Sequence, residues 1–231
     1  TVEAPSVSLT GNTFSSNVVN LLLNGVTSNI SQAAGGGGCI SVRYNLNVSG
    51  SRVTVDENVF HSCSVQMLGK TSPSTVGIQY GNTYGGAVSL YYGLSAVSSL
   101  DVRNVTSTFT NNQCRRSGIM SSVGIAGNAY GGCLSIYAGP WIVSALGASS
   151  VGSLSVSGMM ANISDNVILN CSAAMTGELS NSGTYSGNVY GGGMSLVVGA
   201  YSYSNGNGAS SVSGGTTVSN TNYTIVSNTL S

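Results

Sequence analysis

The stretch GNTYGGAVSL, residues 81–90, joins a glycine pair to an alternating apolar run and returns along the chain in near copies. The copies are GNAYGGCLSI at 127–136, GNVYGGGMSL at 187–196 and a degenerate GGGGCISV at 35–42. A dinucleotide-binding glycine motif occurs once per domain, follows a strand and opens a helix. Here the glycines recur and precede the strand-like run. The stretch therefore indicates a structural repeat and argues against a phosphate-binding loop.

The composition argues against several classes of function. Charged residues make up only 5 % of the 231 residues, with six basic and six acidic side chains, against about 25 % in average globular chains. Without a basic surface, binding to nucleic acid is not expected. No continuous apolar run reaches the roughly 18 residues of a membrane span, so membrane insertion is not expected either.

A second motif runs out of phase with the glycines and reads V-x-[LVI]-x-x-N-x-[FIL]-x-x-[NC]. It occurs at 7–17, 53–63 and 161–171, loosely at 102–112 and truncated at 223–230. Its apolar anchors are spaced by 46, 49, 59 and 62 residues: Phe14, Phe60, Phe109, Ile168 and Leu230. The second glycines follow spacings of 48, 46 and 60 residues, at Gly38, Gly86, Gly132 and Gly192. Both motifs thus belong to one long repeat.

Alternation with a period of two in VSLTGNTF and AVSLYY predicts strands. Repeated strands without helices predict an all-β chain, a parallel β-solenoid of about four to five coils. The coils cover residues 7–52, 53–101, 102–160, 161–222 and a partial 223–231 of a single domain, 1–231. The Ser- and Gly-rich inserts near 138–155 and 198–215 are predicted to be long surface loops. A β-sandwich is the alternative fold.

Stacking at about 4.8 Å places equivalent residues of successive coils in contact, as ladders. The five anchors predict an apolar ladder inside the stack. Two positions earlier, Asn12, Asn58, Asn166 and Asn228 predict an amide ladder that Ser107 interrupts, and Tyr84, Tyr130 and Tyr190 predict an aromatic one. The glycine pairs predict tight corners where φ is positive or side chains have no room: Gly38, Gly85, Gly86, Gly131, Gly132, Gly191 and Gly192.

These alternating patterns resemble the GGA[ILV] and FxxN repeats of the polymorphic outer-membrane protein family. The glycine type is GGAV at 85–88, GGCL at 131–134 and GGGM at 191–194; the other type is FSSN at 14–17 and FTNN at 109–112, with variants FHSC at 60–63 and ILNC at 168–171. The resemblance implies a right-handed, single-stranded parallel β-helix used on a cell surface for adhesion or structure, with no catalytic residues to carry over. The GNxYGG extension and the long inserts depart from the family's core pattern.

Five cysteines are an odd number, so at least one is free or pairs with another chain. Adjacent coils bring Cys63 near Cys114, and we predict a disulfide there in an oxidising compartment; buried free thiols are the alternative. Six sequons suit a secreted glycoprotein, although chance alone accounts for about six in a chain so rich in Asn, Ser and Thr. They lie at Asn29, Asn47, Asn104, Asn162, Asn170 and Asn222.

The residues that carry chemistry do not form a recognisable site. Glu57 and Asp165 share a register but lie two coils apart, a long separation for a glycosidase pair. His61, next to an inward anchor, is predicted to point outward. We therefore predict no catalytic, metal-binding or cofactor-binding residues and no cofactor. Trp141 and the Tyr-rich stretch 199–208 are candidates for contact with glycans or another subunit, with loop packing as the alternative.

Both ends of the chain stop within a repeat, and no cap is visible at either end. We therefore expect like subunits or flanking repeats to stack end to end on this segment, which would belong to a longer protein or assembly. The predicted function is that of a non-catalytic extracellular structural protein, a building block of a cell-surface fibre, appendage, wall or coat. Two alternatives remain: an adhesin or glycan-binding module, and a polysaccharide lyase or hydrolase.

Overall fold

A computed structural model describes residues 2–3, 5–23, 30–44, 48–69, 78–92, 100–121, 129–138, 141–144, 149–151, 154–175, 189–198, 201–204, 210–212 and 216–231. All regular secondary structure in these ranges is β-strand, so the predicted all-β class is confirmed. Across the described segments there is no helix long and apolar enough to cross a membrane.

The strands recur in the same order in each successive repeat. The first repeat contains β1 (Val2–Glu3), β2 (Ser6–Thr10), β3 (Thr13–Ser15), β4 (Val18–Leu23), β5 (Ile30–Gly36) and β6 (Ile40–Tyr44). The second contains β7 (Val48–Ser49), β8 (Arg52–Asp56), β9 (Val59–His61), β10 (Ser64–Gly69), β11 (Ile78–Tyr84) and β12 (Val88–Tyr92). The third contains β13 (Leu100–Arg103), β14 (Thr106–Thr110), β15 (Gln113–Arg115), β16 (Gly118–Ser121), β17 (Ala129–Tyr130), β18 (Leu134–Ala138), β19 (Trp141–Ser144) and β20 (Ser149–Val151).

The later repeats follow the same plan. The fourth contains β21 (Leu154–Ser157), β22 (Met160–Ser164), β23 (Val167–Leu169), β24 (Ser172–Met175), β25 (Val189–Tyr190), β26 (Met194–Val198), β27 (Tyr201–Ser204) and β28 (Ser210–Val212). The fifth contributes β29 (Thr216–Ser219), β30 (Asn222–Val226) and β31 (Thr229–Leu230).

Each of six parallel sheets takes one strand from successive repeats, and we name them A to F by position in the repeat. Sheets A, B and C have five strands each, in the orders β1-β7-β13-β21-β29, β2-β8-β14-β22-β30 and β3-β9-β15-β23-β31. Sheets D, E and F have four each: β4-β10-β16-β24, β5-β11-β17-β25 and β6-β12-β18-β26. The register is direct, so Leu9, Val55, Phe109, Ile163 and Ile225 are successive partners in sheet B. The predicted parallel strands and ladders follow from this pairing.

The chain turns between sheets at residues with left-handed backbone conformation. Glu57, Asn111 and Asp165 have φ of 55°, 52° and 57° at the same corner, after sheet B. Asn and Asp tolerate this conformation better than most side chains do. Equivalent corners with positive φ follow sheet A (Gly50, Asn104, Gly158, Asn220), sheet C (Ser16, Ser62, Arg116, Asn170) and sheet E (Gly37, Gly85, Gly131, Gly191). The sequence predicted only the glycine corner, because the other three use varied residues.

The two glycines of the pair Gly85–Gly86 are needed for different reasons. Gly85 has φ of 54°, the conformation that glycine adopts without steric cost. Gly86 has no such φ, but a Cβ there would overlap the carbonyl oxygen of Gly132 and approach Gly118 N to 2.6 Å. Successive repeats therefore meet backbone to backbone at this corner.

The larger of two apolar clusters among the described residues lies between the sheets. Inward residues of sheets A, B, C and F contribute to it, and the centre of each ladder is fully buried: Val53, Val55, Phe60, Leu90, Val102, Phe109, Leu134, Ile136 and Val156. Polar residues alternate with them along β2, β8 and β14. The core is thus built from one side of each strand.

The prediction that the inserts of the third and fourth repeats are only surface loops is wrong for their described residues. β19 pairs with β27 and β20 pairs with β28, both in parallel. Both repeats carry an insert at the same position, so the inserts stack and hydrogen-bond like the rest of the chain. Each of these sheets has two strands.

The predicted register of the third repeat is also wrong. Phe109 does not follow Phe60; it pairs with Val55 and Ile163, while Cys114 pairs with Phe60 and Ile168. The apolar anchor ladder is therefore Phe14, Phe60, Cys114, Ile168 and Leu230. The FTNN letters match the motif five residues too early, because Phe109 occupies a different inward position.

Candidate assembly interface

An uninterrupted ladder of five asparagines runs through the described repeats. Each repeat contributes one residue, or rung, to the ladder. The third rung, between Asn58 and Asn166, is Asn112 and not Ser107. The Nδ2 groups of Asn12, Asn58 and Asn112 each donate to the Oδ1 of the next asparagine at 3.1–3.2 Å, and Asn166 donates to Asn228 at 2.9 Å. Ser107 lies instead in the core, with its Oγ 3.0 Å from the Tyr92 hydroxyl.

The asparagine side chains also accept hydrogen bonds from backbone N–H groups, and the donor always lies in the preceding repeat. The backbone N–H of each rung donates to Oδ1 of the next: Asn12 to Asn58, Asn58 to Asn112 and Asn112 to Asn166, each at 2.9 Å, and Asn166 to Asn228 at 3.1 Å. From the second repeat on, each Nδ2 also donates to a carbonyl of the preceding repeat, as Asn112 does to Val55 at 2.8 Å. Every rung therefore completes the hydrogen bonds of the rung before it.

Aromatic ladders accompany the amides. Phe14 and Phe60 stack with ring centroids 5.3 Å apart and planes within 8°. Tyr84 stacks on Tyr130 at 5.1 Å, and Tyr130 stacks on Tyr190 at 4.9 Å. Parallel stacking at the strand spacing buries large apolar area in each rung.

A second tyrosine stack was missed by the sequence analysis. Tyr91 and Tyr137 stack at 5.4 Å and meet Tyr84 and Tyr130 edge to face. The guanidinium of Arg43, which is the partner of Tyr91 in the first repeat, lies 4.8 Å from the Tyr91 ring centroid. The signal was the YY pair at 91–92, whose first tyrosine faces away from the core while Tyr92 faces into it.

Apolar side chains of the fifth repeat are exposed in the described chain. Ile225 and Leu230, which continue the ladders of Ile163 and Ile168, are exposed. Val218, Tyr223 and Val226 of the same repeat are exposed as well. At the other end, Val7, Leu9 and Phe14 are only partly buried and pack on the core from one side. The two ends of the stack thus present matching apolar positions.

In sheets B and C, neither of these edges carries the charges that usually protect an exposed strand; in sheet A, Glu3 lies on the edge strand β1. Natural edge strands are commonly blunted by Lys, by Pro, by bulges or by a covering element, because unpaired N–H and C=O groups attract another strand. Residues 216–231 contain no charged side chain, and neither do residues 5–23. The strands β2, β3, β30 and β31 therefore offer open, uncharged and partly apolar edges.

The described cysteines pair differently from the prediction. Cys63 is bonded to Cys39 and Cys114 to Cys133, while Cys171 is unbonded. The Cys63–Cys114 pairing is wrong because Cys114 stands at the anchor position, whereas Cys63 stands at the corner that follows it. In each bond, one cysteine directly precedes a strand of sheet F: Cys39 before β6 and Cys133 before β18. The other lies in or just after a strand of sheet C: Cys114 in β15 and Cys63 after β9.

The predicted glycosylation sites fall into two groups. Asn29 and Asn47 lie outside the described residues. The side chains of Asn104, Asn162, Asn170 and Asn222 are all exposed, so each leaves room for a glycan. The backbone of Trp141 and of residues 201–204 belongs to the two-stranded sheet of β19 and β27. The side chains there lie outside the described residues.

Asp56, which directly precedes Glu57, and His61 each make side-chain hydrogen bonds. Asp56 accepts hydrogen bonds from Thr110 Oγ1 at 2.7 Å and Asn111 Nδ2 at 3.1 Å. His61 Nδ1 lies 3.1 Å from the hydroxyl of its chain neighbour, Ser62. Asn111 lies between Glu57 and Asp165 at the corner after sheet B.

Comparison with known proteins adds no relative. No family model, curated protein or solved structure matches the chain.

Proposed function

We propose that the chain is a non-catalytic extracellular structural protein that builds a cell-surface fibre, appendage, wall or coat by axial stacking. The observation that carries the proposal is the continuity of the ladders from repeat to repeat, because each inner rung is buried by the next and each strand edge pairs with a further strand. The apolar, uncharged edge of the fifth repeat would be covered in the same way by flanking repeats or by a second copy. The occupant we propose is the first repeat of a second copy.

Ladder direction supports this occupant. The backbone N–H of each asparagine donates to Oδ1 of the next rung. A second copy stacked on the fifth repeat brings its Asn12 into the position of a sixth rung, where its Oδ1 accepts from Asn228 N–H. Its Leu9 and Phe14 then cover Ile225 and Leu230. Such a contact is head to tail and does not close on itself, so it generates a filament.

Charge and redox chemistry are compatible with this function. The formal net charge is zero, and a chain without net charge does not repel its own copies. The structure contains two disulfides, which form and persist mainly in oxidising compartments such as the cell exterior. Both points favour an extracellular assembly over an intracellular enzyme.

We further propose that sheets A to F wind as a right-handed parallel β-helix. Each repeat returns to every sheet in parallel after crossing the other five, and connections between parallel strands of one sheet are almost always right-handed. An experimentally determined density map of the protein tests the handedness directly.

The test of assembly is sedimentation velocity and negative-stain electron microscopy of the purified chain. We expect concentration-dependent association into rods, and Ile225→Lys to weaken it at least about tenfold, or about 1.4 kcal/mol. Thr108→Lys adds the same charge to the outer side of a central strand and is the matched control. A chain that stays monomeric at high concentration, or that associates equally with Lys at 225, contradicts the proposal.

A further inference from the structure

Three cysteine sulfurs meet at one place in the described repeats. Cys114 and Cys133 are bonded and fully buried. The unbonded Cys171 places its Sγ 3.7 Å from Cys114 Sγ, and the three sulfur atoms all lie within 4.8 Å of one another. The thiol of Cys171 therefore lies in contact with an existing disulfide.

The repeat gives Cys133 a second partner. Cys39 and Cys133 are equivalent, because Cys39 N–H donates to Ala87 O and Ala87 N–H donates to Cys133 O, both at 3.0 Å. Cys63, Ser117 and Cys171 occupy equivalent positions in three successive repeats. They directly precede Ser64, Gly118 and Ser172, which pair with one another in sheet D.

The Cys39–Cys63 bond joins the first repeat to the second. The same positions two repeats further along are Cys133 in the third repeat and Cys171 in the fourth. The bond that corresponds to Cys39–Cys63 is thus Cys133–Cys171. In the structure Cys133 is bonded instead to Cys114, which occupies the anchor position between Phe60 and Ile168.

We propose that Cys114, Cys133 and Cys171 form an intramolecular thiol–disulfide exchange site. The thiolate of Cys171 attacks Sγ of Cys133, a Cys133–Cys171 bond forms, and the Cys114–Cys133 bond breaks. The electron pair of the broken bond leaves on Cys114 as a thiolate, which takes up a proton, while Cys171 has lost one. No net oxidation or reduction occurs, so no external oxidant or reductant is required.

The exchange has a structural consequence. With Cys114–Cys133, the bond lies within the third repeat; with Cys133–Cys171, it links the third repeat covalently to the fourth. The second form ties together neighbouring rungs of the stack, as Cys39–Cys63 does at the other end. The cluster thus converts a local cross-link into one that runs along the stacking direction.

The surroundings favour exchange over metal binding. Three thiolates around a metal ion place negative charge in the apolar core, where Cys114 and Cys133 have no exposed surface, and burying charge is costly. A disulfide with one neutral thiol carries no charge. Burial also raises the pKa of the Cys171 thiol, so less thiolate is present at neutral pH and exchange is slowed.

The experiment labels the free thiol of the native, full chain. The protein is treated with N-ethylmaleimide at neutral pH, acidified, and digested with pepsin without reduction; mass spectrometry then reads both the label and the disulfide linkages. We expect one label per chain, shared between Cys171 and Cys114, with the linkages Cys114–Cys133 and Cys133–Cys171 in the corresponding fractions. The Cys39–Cys63 linkage is the internal control.

Two variants provide reference states. Cys171→Ser permits only Cys114–Cys133, and Cys114→Ser permits only Cys133–Cys171, so their peptides calibrate the two forms. A wild-type chain labelled at a single cysteine, with a single linkage whatever the labelling time, overturns the proposal. Three labelled cysteines together with bound metal in the native mass spectrum also overturn it, because the cluster is then a metal site.

Discussion

Equivalent apolar side chains have opposite environments in the fourth and the fifth repeat. Ile163 is 2 % exposed, whereas Ile225, its partner one rung later, is 52 % exposed. Ile168 is 1 % exposed, and Leu230 after it is 55 % exposed. Residue type, strand conformation and register are alike in both pairs. The difference is that a further rung covers the first member of each pair.

The comparison shows that burial in this fold is a property of stacking and not of a single strand. Covering a side chain such as Ile225 or Leu230 stabilises a protein by about 1.5–3 kcal/mol. The side chains of the fifth repeat therefore lack this burial energy, which an added repeat would supply. The side chains of a central repeat are already buried. Changes at central rungs should be costly, and the same changes at the last rung should be mild.

The largest contrast is expected at the glycine corner. Gly86→Ala places a methyl group against the Gly132 carbonyl, so strands must separate, and we expect the free energy of unfolding to fall by roughly 4 kcal/mol or more. Gly192→Ala is the matched control, because a Cβ there has Cys171 O at 3.9 Å as its nearest neighbour. Urea denaturation followed by circular dichroism measures both. Equal losses would show that steric contact between rungs does not explain the glycines.

The amide ladder should give the next largest contrast. Asn112→Ala removes the acceptor of the buried N–H and Nδ2 of Asn58 and one donor to the carbonyl of Val55, and we expect the free energy of unfolding to fall by about 3 kcal/mol. Asn228→Ala, in the half-exposed last rung, should cost about 1 kcal/mol because water replaces the amide. The free energy of unfolding from chemical denaturation measures both. Similar costs at the two positions would contradict the role of stacking in the ladder.

The smallest effect concerns alkaline pH. Burial raises the pKa of Tyr92 above its ordinary value of 10.0, so above that pH the unfolded chain loses the proton while the folded chain keeps it. The free energy of unfolding then falls as pH rises, by at most about 1.4 kcal/mol per pH unit for this group. Below pH 10 the group has no such effect. Tyr92→Phe should flatten the fall between pH 10 and 11, when denaturation curves are compared across pH.

A matched control separates ionisation from the loss of a hydroxyl. Tyr223→Phe makes the same change at an exposed position of the last repeat, and its denaturation curves are measured over the same pH range. If Tyr92→Phe and the wild-type chain lose stability in parallel, the buried hydroxyl is not responsible for the alkaline effect.

Much of the architecture was predictable because it is encoded in residues that are close in sequence. Alternation with a period of two predicted strands, and recurrence of GNxYGG predicted that equivalent tyrosines meet; Tyr84, Tyr130 and Tyr190 do stack. The third rung was mispredicted because FTNN carries the right letters at the wrong position. The backbone pairing of β14 and β15, together with the hydrogen bonds of Asn112 to Asn58 and Asn166, places that repeat in register.

The sequence by itself determined that the chain is all-β, that it repeats, and that its surface is nearly uncharged, since these properties depend on local periodicity and composition. The tertiary structure decided which rung each residue joins, which cysteines meet, and where the apolar ladders are left uncovered. The physical reason is that register depends on hydrogen bonds between residues more than 40 positions apart. The length of each connection shifts that register, and the repeat motif alone does not report the shift.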